Sequence, residues 1–358
     1  NEGIEKGLEA EIDGFAKMAV SSIAKNMISV YFTREMAAQT AKRAMDKFGA
    51  IDSLGIIGSG SMGKGIAEIA SQSGMDLLVR SSSKEKSQIE VERLKKRLSE
   101  NCTDKMVKAS DNFQDFANLD MVVESVYEDL ELKKQIIEKV SRHMSKDAIL
   151  ATNTSSFSIK ELAQFSEKPE NLLGLHFFYP VDRMPLVEII AHDKCSPAIE
   201  KKAIAFVGQL GKVPILVKDS PGFLVNRLLC AFLLEATRIL DEGVPLNWID
   251  SVATKFGMPM GPFELCDELG WGLTTSVAKL LHSKFGKRLE PPSLMERALA
   301  MGLDGKKTNA GCYYWEDSTR KIGLNDEFIK QAGVCMSDQL VDETSAIKIR
   351  DRLFLPMI

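Results

Sequence analysis

The chain has 358 residues, of which 44% are hydrophobic and 27% are charged, and its formal net charge is −4. This length is sufficient for two domains, and the composition is that of an ordinary globular protein. The slightly acidic balance gives no reason to expect a nucleic-acid partner. The longest apolar segment, residues 228–234, is too short for a membrane span, which needs roughly 18 residues.

The cysteines are scattered along the chain and form no C-x-x-C pair. This usage is typical of reduced intracellular thiols, so we expect no disulfide. The spacing of His, Cys and carboxylate residues also indicates no metal site. The six cysteines are Cys102, Cys195, Cys230, Cys266, Cys312 and Cys335.

The first 50 residues carry apolar side chains at helical spacing. The pattern runs through residues 8–19 and again through residues 23–30, with an interruption at residues 21–22, and it predicts two amphipathic helices. Neither helix has a core of its own, so we expect both to lie against another part of the protein. The chain begins at Asn1 rather than Met, and we expect the native N-terminus to lie upstream.

A glycine-rich stretch, LGIIGSGSMGKG at residues 54–65, follows. The apolar run before it and the helical spacing after it predict a strand, a tight turn and a helix. In a dinucleotide-binding turn, Gly58 would allow the turn, Gly60 would let the backbone approach a pyrophosphate, and Gly63 would let the helix pack on the strand. The alternative is an ordinary glycine-rich turn. The predicted cofactor contacts here are Gly58, Gly60, Ser61, Met62 and Gly63.

From residue 51 to residue 218, strand-like apolar runs alternate with helical segments. This alternation predicts a Rossmann-type domain with a mainly parallel, doubly wound sheet, whose ligands bind at the carboxyl ends of the strands. Beyond the strand that leads into the glycine turn, the predicted strands are residues 121–124, 148–151, 172–177, 186–191 and 213–217.

The pattern changes at Asp219, where a capping residue followed by Pro221 predicts the start of a helix. From there to residue 316 the sequence predicts helices and turns, and therefore an all-α C-terminal domain. Residues 317–358 are predicted to be a charged connector. Its last residues, 351–355, weakly resemble residues 226–230.

Four polar residues stand at predicted strand ends or at the domain boundary. Glu188 lies inside an apolar strand, where an unpaired carboxylate is costly, so we expect it to pair with the imidazole of His176. A glutamate that accepts a hydrogen bond from one ring nitrogen makes the other a general base for an alcohol. Ser155 and Asn226 would then hydrogen-bond the reacting oxygen. A structural histidine, and a turn at residues 153–156 that merely caps a helix, are the alternatives.

With these residues in place, the chain resembles the 3-hydroxyacyl-CoA dehydrogenases, in particular the dehydrogenase part of the multifunctional fatty-acid oxidation alpha subunit. The matching stretches are GSGSMGKGIA, VVESVYEDLELKK, ATNTSSFSI, GLHFFYP, MPLVEII, KDSPGFLVNR and GMPMGPFELCDELG, in the family's order over about residues 54–315. The resemblance implies a helical linker at 1–50 from the preceding hydratase domain, an NAD-binding Rossmann domain at 51–218, a helical dehydrogenase domain at 219–316, and the start of a second helical repeat within 317–358.

The resemblance also implies roles for particular residues. His176 would be the general base, Glu188 its orienting partner, and Ser155 and Asn226 the residues that position the substrate oxygen. The reaction implied is oxidation of an L-3-hydroxyacyl-CoA to the 3-ketoacyl-CoA with hydride transfer to NAD. Positions near the cofactor would be Ser81 after the second strand, Glu128 and Lys133 beside the nicotinamide ribose, and Asn153 between cofactor and substrate.

The resemblance further implies the setting in which the chain acts. A homodimer is expected from the helical domain, and a thiolase subunit is expected in the full-length complex. The expected location is the cytoplasm for a bacterial protein, and the mitochondrial matrix or a peroxisome for a eukaryotic one.

Three features depart from the family pattern. At the end of the second strand, where the family carries an acidic residue for the ribose 2′-hydroxyl, this chain has Arg80. NAD stays favoured, but an arginine would also accommodate the 2′-phosphate of NADP. Residues 81–120 are shorter than the usual helical excursion that helps to hold CoA. Tyr179 replaces the usual Asn or Ser before the proline and is expected to narrow the pocket.

Two other functions are compatible with the residues. One is an NAD(P)-linked dehydrogenase of a free 3-hydroxyacid, but those families typically use a lysine in the interdomain helix, where this chain has Asn226. The other is a non-catalytic relative that keeps the fold and the nucleotide, which the four candidate residues disfavour.

Overall fold

The structure is a computed structural model that describes residues 3–99, 106–331, 333 and 342–357. The chain groups into two compact units, Asn1–Asp219 and Ser220–Ile358. Among the described helices, none combines the length and the apolar character that a membrane crossing requires. Cys102 and Cys335 lie outside the described residues, and the four described cysteines, which are buried and free, are Cys195, Cys230, Cys266 and Cys312.

The first unit begins with two helices, α1 (Gly3–Ala19) and α2 (Ser22–Phe48). Eight strands and five further helices follow: β1 (Ser53–Ile57), α3 (Ser61–Gln72), β2 (Asp76–Arg80), α4 (Lys84–Ser99), β3 (Val107–Ala109), β4 (Met121–Glu124), α5 (Leu130–Ser141), β5 (Ile149–Thr152), α6 (Ile159–Ala163), β6 (Leu172–Phe177), β7 (Leu186–Ala191), α7 (Pro197–Gln209) and β8 (Val213–Lys218).

The strands form one sheet in the order β3-β2-β1-β4-β5-β6-β7-β8. Neighbouring strands are parallel, except that β6 and β7 are antiparallel. The first six strands therefore follow the Rossmann order and confirm the predicted fold class. Because the central strands are covered on both faces, β4, β5 and β6 are buried along their whole length. The polar chemistry is thereby confined to the strand ends.

The two N-terminal helices are packed only in part. Ser21 caps α2 by accepting a hydrogen bond from the amide of Ala24, which places the helix break where the sequence predicts it. The C-terminal half of α2 packs against α7, with Ala41 opposite Gly208, where a Cβ would lie 2.5 Å from the Ala41 Cβ. In contrast, α1 has no buried residue. The expectation that both helices lie against another part of the protein is confirmed for α2, and for α1 it stays a prediction.

The second unit is mainly helical, with a hairpin that the sequence analysis missed. Its elements are α8 (Val225–Asp241), α9 (Leu246–Phe256), α10 (Pro262–Leu269), α11 (Trp271–Phe285), α12 (Ser293–Ala300), β9 (Tyr313–Glu316), β10 (Arg320–Leu324), α13 (Asp326–Gln331) and α14 (Glu343–Phe354). The antiparallel pair β9–β10 adds a short hairpin to the predicted helical domain, and its second strand lies where a charged connector was predicted.

The carboxylate of Asp267 anchors this hairpin. It is buried and accepts hydrogen bonds from the indole nitrogens of Trp271 and Trp315 and from the amides of Cys312 and Tyr313. Four donors to one carboxylate replace the water that burial removes. Strand β9 therefore depends on contacts with Asp267 in α10, and the sequence near β9 gives no indication of these contacts.

The end of the chain packs onto the same unit. Leu353 of α14 is fully buried, and the ring of Phe354 lies 4.0 Å, between centroids, from that of Phe256 in α9. Arg352 pairs with Glu235 and Glu242. The end of α14 therefore belongs to the helical core of the second unit.

Candidate active site

The glycine turn between β1 and α3 is tight at its ends and open in the middle. Gly58 has φ +111°, and a Cβ there would lie 2.3 Å from the carbonyl oxygen of Ser125. A Cβ at Gly63 would lie 2.0 Å from the carbonyl oxygen of Gly58, whereas a Cβ at Gly60 would have no neighbour within 4 Å. The two outer positions therefore need glycine for the fold, while Gly60 leaves space beside the start of α3.

The first turn of α3 presents backbone amides to this space. Gly60 is the N-cap residue, and it supplies no side-chain hydrogen bond to the helix. Ser61 is exposed, Met62 packs partly against the sheet core, and Gly63 is buried. Uncapped amides at the positive end of a helix dipole favour an anion, so the turn has the shape and the electrostatics of a pyrophosphate site.

His176 and Glu188 form a buried pair on β6 and β7. The two residues are directly opposite in the antiparallel register, and His176 Nδ1 lies 2.6 Å from Glu188 Oε2. Glu188 is fully buried and His176 is 7% exposed. The structure thus brings together the imidazole and the carboxylate that the sequence analysis paired, and the contact occupies Nδ1 of the ring.

Asn153 connects this pair to the glycine turn. Its Oδ1 accepts a hydrogen bond from the amide of Phe177, the residue after His176, at 3.1 Å. Its Nδ2 donates to Ser125 Oγ at 3.4 Å, and Ser125 is the residue that closes on Gly58. The turn, Asn153 and the imidazole therefore lie along one edge of the sheet, at the carboxyl ends of β1, β4, β5 and β6.

Glu128 organises the loop that follows β5. Its Oε1 accepts hydrogen bonds from the Thr154 hydroxyl at 2.5 Å, the Ser155 amide at 3.0 Å and the Ser156 hydroxyl at 2.9 Å. Its Oε2 lies 3.2 Å from Lys133 Nζ. Burial alone would raise the pKa of Glu128, but attraction to Lys133 and these hydrogen bonds outweigh it and lower the pKa below its usual value. Glu128 is therefore held as a carboxylate that fixes the loop.

Two family models match consecutive parts of the chain. The family model described as "3-hydroxyacyl-CoA dehydrogenase, NAD binding domain" matches residues 53–220, and the one described as "3-hydroxyacyl-CoA dehydrogenase, C-terminal domain" matches residues 222–315. This chain belongs to the 3-hydroxyacyl-CoA dehydrogenase family. It therefore carries both domains of an NAD-dependent dehydrogenase.

Solved and curated relatives agree with this assignment. The crystal structure of M. tuberculosis FadB2 is 31% identical with a TM-score of 0.68, and the match covers 75% of this chain and 100% of that one. That of (S)-3-hydroxybutyryl-CoA dehydrogenase PaaH1 from Ralstonia eutropha is 32% identical with a TM-score of 0.69, covering 74% and 99%. The fatty acid oxidation complex subunit alpha of Shewanella loihica is 34% identical over 334 residues, which are 89% of this chain and 47% of that protein. The chain thus spans about half the length of the curated relatives it matches.

NAD, the cofactor of the family, fits the glycine turn of this dehydrogenase. The open space at Gly60 and the uncapped first turn of α3 are what a pyrophosphate needs. Ser81 lies next to the turn, since its Oγ is 2.6 Å from Ser59 Oγ. Glu128 is one-third exposed. The contacts of these residues with NAD stay predictions.

The remaining predicted residues differ in their placement. Ser155 is exposed on the loop after β5, with its amide bonded to Glu128. Lys133 is fully buried between Glu128 and Glu124, so its place in this dehydrogenase is beneath the site surface. Asn226 lies in the first turn of α8, in the second unit. Its part in the site stays a prediction.

Glu124 is a further residue of the site that was not predicted from the sequence. Glu124 ends β4, is fully buried, and accepts hydrogen bonds from Lys133 Nζ at 3.0 Å, the Thr152 hydroxyl at 2.6 Å and the Val126 amide at 2.7 Å. The signal was present in the sequence, because a carboxylate ends the apolar run MVVE just as one interrupts the strand of Glu188. Such a carboxylate needs a buried partner, and Lys133 is that partner.

Proposed function

We propose that this chain oxidises an L-3-hydroxyacyl-CoA to the corresponding 3-ketoacyl-CoA, with NAD as the hydride acceptor. The observation that carries the proposal is the 2.6 Å contact between His176 and Glu188, on the same sheet edge as a dinucleotide-binding turn. A base for an alcohol beside a hydride acceptor has the parts required to oxidise a secondary alcohol.

His176, Glu188 and the cofactor have separate roles in this reaction. NAD, when bound, supplies the acceptor for the hydride that leaves C3. Because Nδ1 of His176 contacts Glu188, Nε2 is the nitrogen that takes the hydroxyl proton. Glu188 fixes the orientation of the ring and stabilises the imidazolium that forms, since its negative charge is buried beside it.

Ser155 and Asn226 act on the substrate oxygen in this proposal. Ser155 is exposed, and its backbone is held by the bond from its amide to Glu128, so its hydroxyl is presented from an ordered loop. Asn226 offers an amide from the start of α8. Two hydrogen-bonding groups polarise the oxygen and hold C3 in position for hydride transfer.

A CoA thioester is favoured over a free 3-hydroxyacid as the substrate. Helix α8, Val225–Asp241, contains no lysine, the residue that would mark the free-acid dehydrogenases at this position. A relative of known structure is named as acting on a 3-hydroxybutyryl-CoA. Oxidation of NADH with acetoacetyl-CoA, compared with acetoacetate, tests the choice, and we expect turnover with the thioester. Faster turnover of acetoacetate would favour the free-acid function, and no turnover of either would favour a non-catalytic relative.

We also propose that this chain is the dehydrogenase part of a longer protein, a fatty acid oxidation complex alpha subunit. Relatives of that name are about twice as long as this chain, and the match covers 47% of the first of them. Residues 1–50 would be the tail of a hydratase domain, 51–218 and 219–316 the two dehydrogenase domains, and 317–358 a connector with the start of a second helical repeat. Support comes from α1, where the apolar side chains of Ile4, Leu8, Ile12 and Phe15 are all exposed, as expected of a face that a further domain covers.

We also propose binding partners and a cellular location for the protein. A homodimer and a thiolase subunit are the proposed partners, and the bacterial origin of the curated relatives favours the cytoplasm. Sedimentation velocity of the chain tests the homodimer. Assay with crotonyl-CoA tests the domain assignment, because a chain that holds only the tail of a hydratase domain should reduce acetoacetyl-CoA without hydrating the enoyl thioester.

A further inference from the structure

The end of β2 lies beside the glycine turn. The amide of Gly58 donates to the carbonyl of Arg80 at 2.8 Å, and the hydroxyls of Ser59 and Ser81 are 2.6 Å apart. In dinucleotide-binding folds, the side chain at this strand end faces the adenosine ribose, and a carboxylate there hydrogen-bonds the 2′-hydroxyl. In this chain the position is taken by Arg80, so the residue that would repel a 2′-phosphate is replaced by a cation.

The guanidinium of Arg80 contacts an aromatic ring and forms no ion pair among the residues that the structure describes. It lies over the ring of Phe113, with Cζ 4.0 Å from the ring centroid, which fixes the plane of the group. Its Nε is buried without a hydrogen-bond partner among the described residues. Burial lowers the pKa of Arg80, and the negative charge of Asp111 offsets this in part. A partly buried cation in this state gains from an added anion.

The residues around Arg80 favour the same ligand. Residues 80–86 read RSSSKEK, with three cations and one carboxylate, at the start of α4. The loop is ordered by its own hydrogen bonds, since the amide of Ser81 donates to Ser87 Oγ at 2.8 Å and the hydroxyl of Ser87 donates to the Ser83 carbonyl at 3.0 Å. A loop of serine hydroxyls held by its own hydrogen bonds, beside an arginine that has no ion pair within the described part of the chain, suits a phosphate monoester. A guanidinium binds such a group with charge-assisted hydrogen bonds.

We propose that the adenosine end of this site accepts a 2′-phosphate, so that the chain binds NADP(H) as well as NAD(H), with Arg80 as the specificity-determining residue. The inference concerns the adenosine end of the cofactor and does not rest on the substrate proposed above. It predicts a dehydrogenase in which the two reduced cofactors compete for one site with similar affinity.

The test is a titration with NADH and with NADPH in the absence of substrate, followed by nicotinamide fluorescence. We expect the two dissociation constants of the wild type to agree within about tenfold, and Arg80→Asp to weaken NADPH binding by about 10- to 100-fold while NADH binding is kept. Lys95→Gln, an exposed position later on α4, is the matched control and should change neither. A wild type that binds NADPH more than about tenfold more weakly than NADH would overturn the proposal.

A second measurement keeps the proposal testable if Arg80→Asp does not fold. Adenosine 2′,5′-bisphosphate carries the 2′-phosphate without the nicotinamide, and we expect it to displace NADH from the wild type better than 5′-AMP does. In Arg80→Gln this preference should disappear, because the charge is removed and the side chain keeps a similar length. An equal preference in wild type and Arg80→Gln would overturn the role of Arg80.

Discussion

Glu188 lies directly opposite His176 across the antiparallel pair β6–β7, with Oε2 2.6 Å from Nδ1. This is the point at which the otherwise parallel sheet reverses direction, so the carboxylate reaches the strand end where the imidazole stands. The reversal matters for function because strand ends carry the chemistry of such sheets. A parallel β7 in the same place would not put the two residues in this register.

The first prediction concerns Glu188. In Glu188→Gln the side chain keeps its size but loses the charge that stabilises the imidazolium, so we expect kcat to fall by about 10²- to 10⁴-fold. NADH affinity should stay within about twofold, since the dinucleotide contacts are elsewhere. Steady-state rates with acetoacetyl-CoA and NADH titration check both statements. An unchanged kcat would remove Glu188 from the mechanism.

The second prediction concerns His176. Removal of the base in His176→Ala should lower kcat by about 10²- to 10⁴-fold, with little change in NADH affinity. His143→Asn is a suitable control, because His143 is exposed on the surface of the first unit, and its turnover should equal that of the wild type. If His176→Ala instead lost NADH binding, and turnover fell only in proportion to the lost occupancy by NADH, His176 would be a structural histidine.

The third prediction separates folding from binding at the glycine turn. A Cβ at Gly60 meets nothing within 4 Å, whereas one at Gly63 meets the Gly58 carbonyl oxygen at 2.0 Å. Gly60→Ala should therefore keep the melting temperature of the wild type but bind NADH at least tenfold more weakly. Gly63→Ala should lower the melting temperature itself. Thermal melting and NADH titration of both variants measure the contrast, and tight NADH binding by Gly60→Ala would argue against a pyrophosphate at this turn.

The sequence predicted the parts of the site whose signals are local. The glycine spacing at residues 58–63 constrains a single turn, and a carboxylate in an apolar strand requires a partner whose type can be deduced. The mainly parallel, doubly wound sheet also follows from the alternation of strands and helices. The turn and the buried pair could be predicted because the first depends on residues within one element and the second on the cost of a buried charge.

Other features depend on contacts between distant residues and were missed. The four-residue strand β9 shows a buried–exposed alternation too short to recognise, and its partner β10 changes register between Lys321 and Gly323. What holds the hairpin is Asp267, about 45 residues earlier in the chain. The partner of α1 could not be predicted for a related reason, because an amphipathic pattern requires a partner without stating whether the partner belongs to the same chain.

The fourth prediction concerns the ion pair beneath the site. Lys133 and Glu124 are both fully buried, with Nζ 3.0 Å from Oε1. Lys133→Met leaves the Glu124 carboxylate buried without its cation, so we expect the free energy of unfolding to fall by about 3–5 kcal/mol. Lys134→Met is the adjacent control, since Lys134 pairs with Glu131, whose side chain is 72% exposed, and it should cost about 1 kcal/mol or less. Equal losses in the two variants, measured by urea denaturation, would contradict the argument.

The fifth prediction concerns Asp250 in α9. Its carboxylate is buried and accepts hydrogen bonds from the amides of Phe263 and Glu264 and from the Tyr313 hydroxyl. Burial raises its pKa from 3.8 to about 6, and the hydrogen bonds from Phe263 and Tyr313 limit the rise. The folded state thus holds the proton at a pH where the unfolded chain has lost it.

The sign of the pH dependence follows from this difference. Below pH 3.8 Asp250 is protonated in both states, and as the pH rises toward 6 the unfolded state ionises first and is stabilised. Asp250 therefore lowers the free energy of unfolding by about 2 kcal/mol between pH 4 and pH 7. Asp250→Asn cannot ionise, so the stability of the wild type relative to this variant should fall by that amount over the same range. Urea denaturation at several pH values measures it, with Asp317→Asn in the exposed turn of the hairpin as the control that follows the wild type. Parallel pH profiles for wild type and Asp250→Asn would mean that Asp250 is ionised in the folded protein throughout the range.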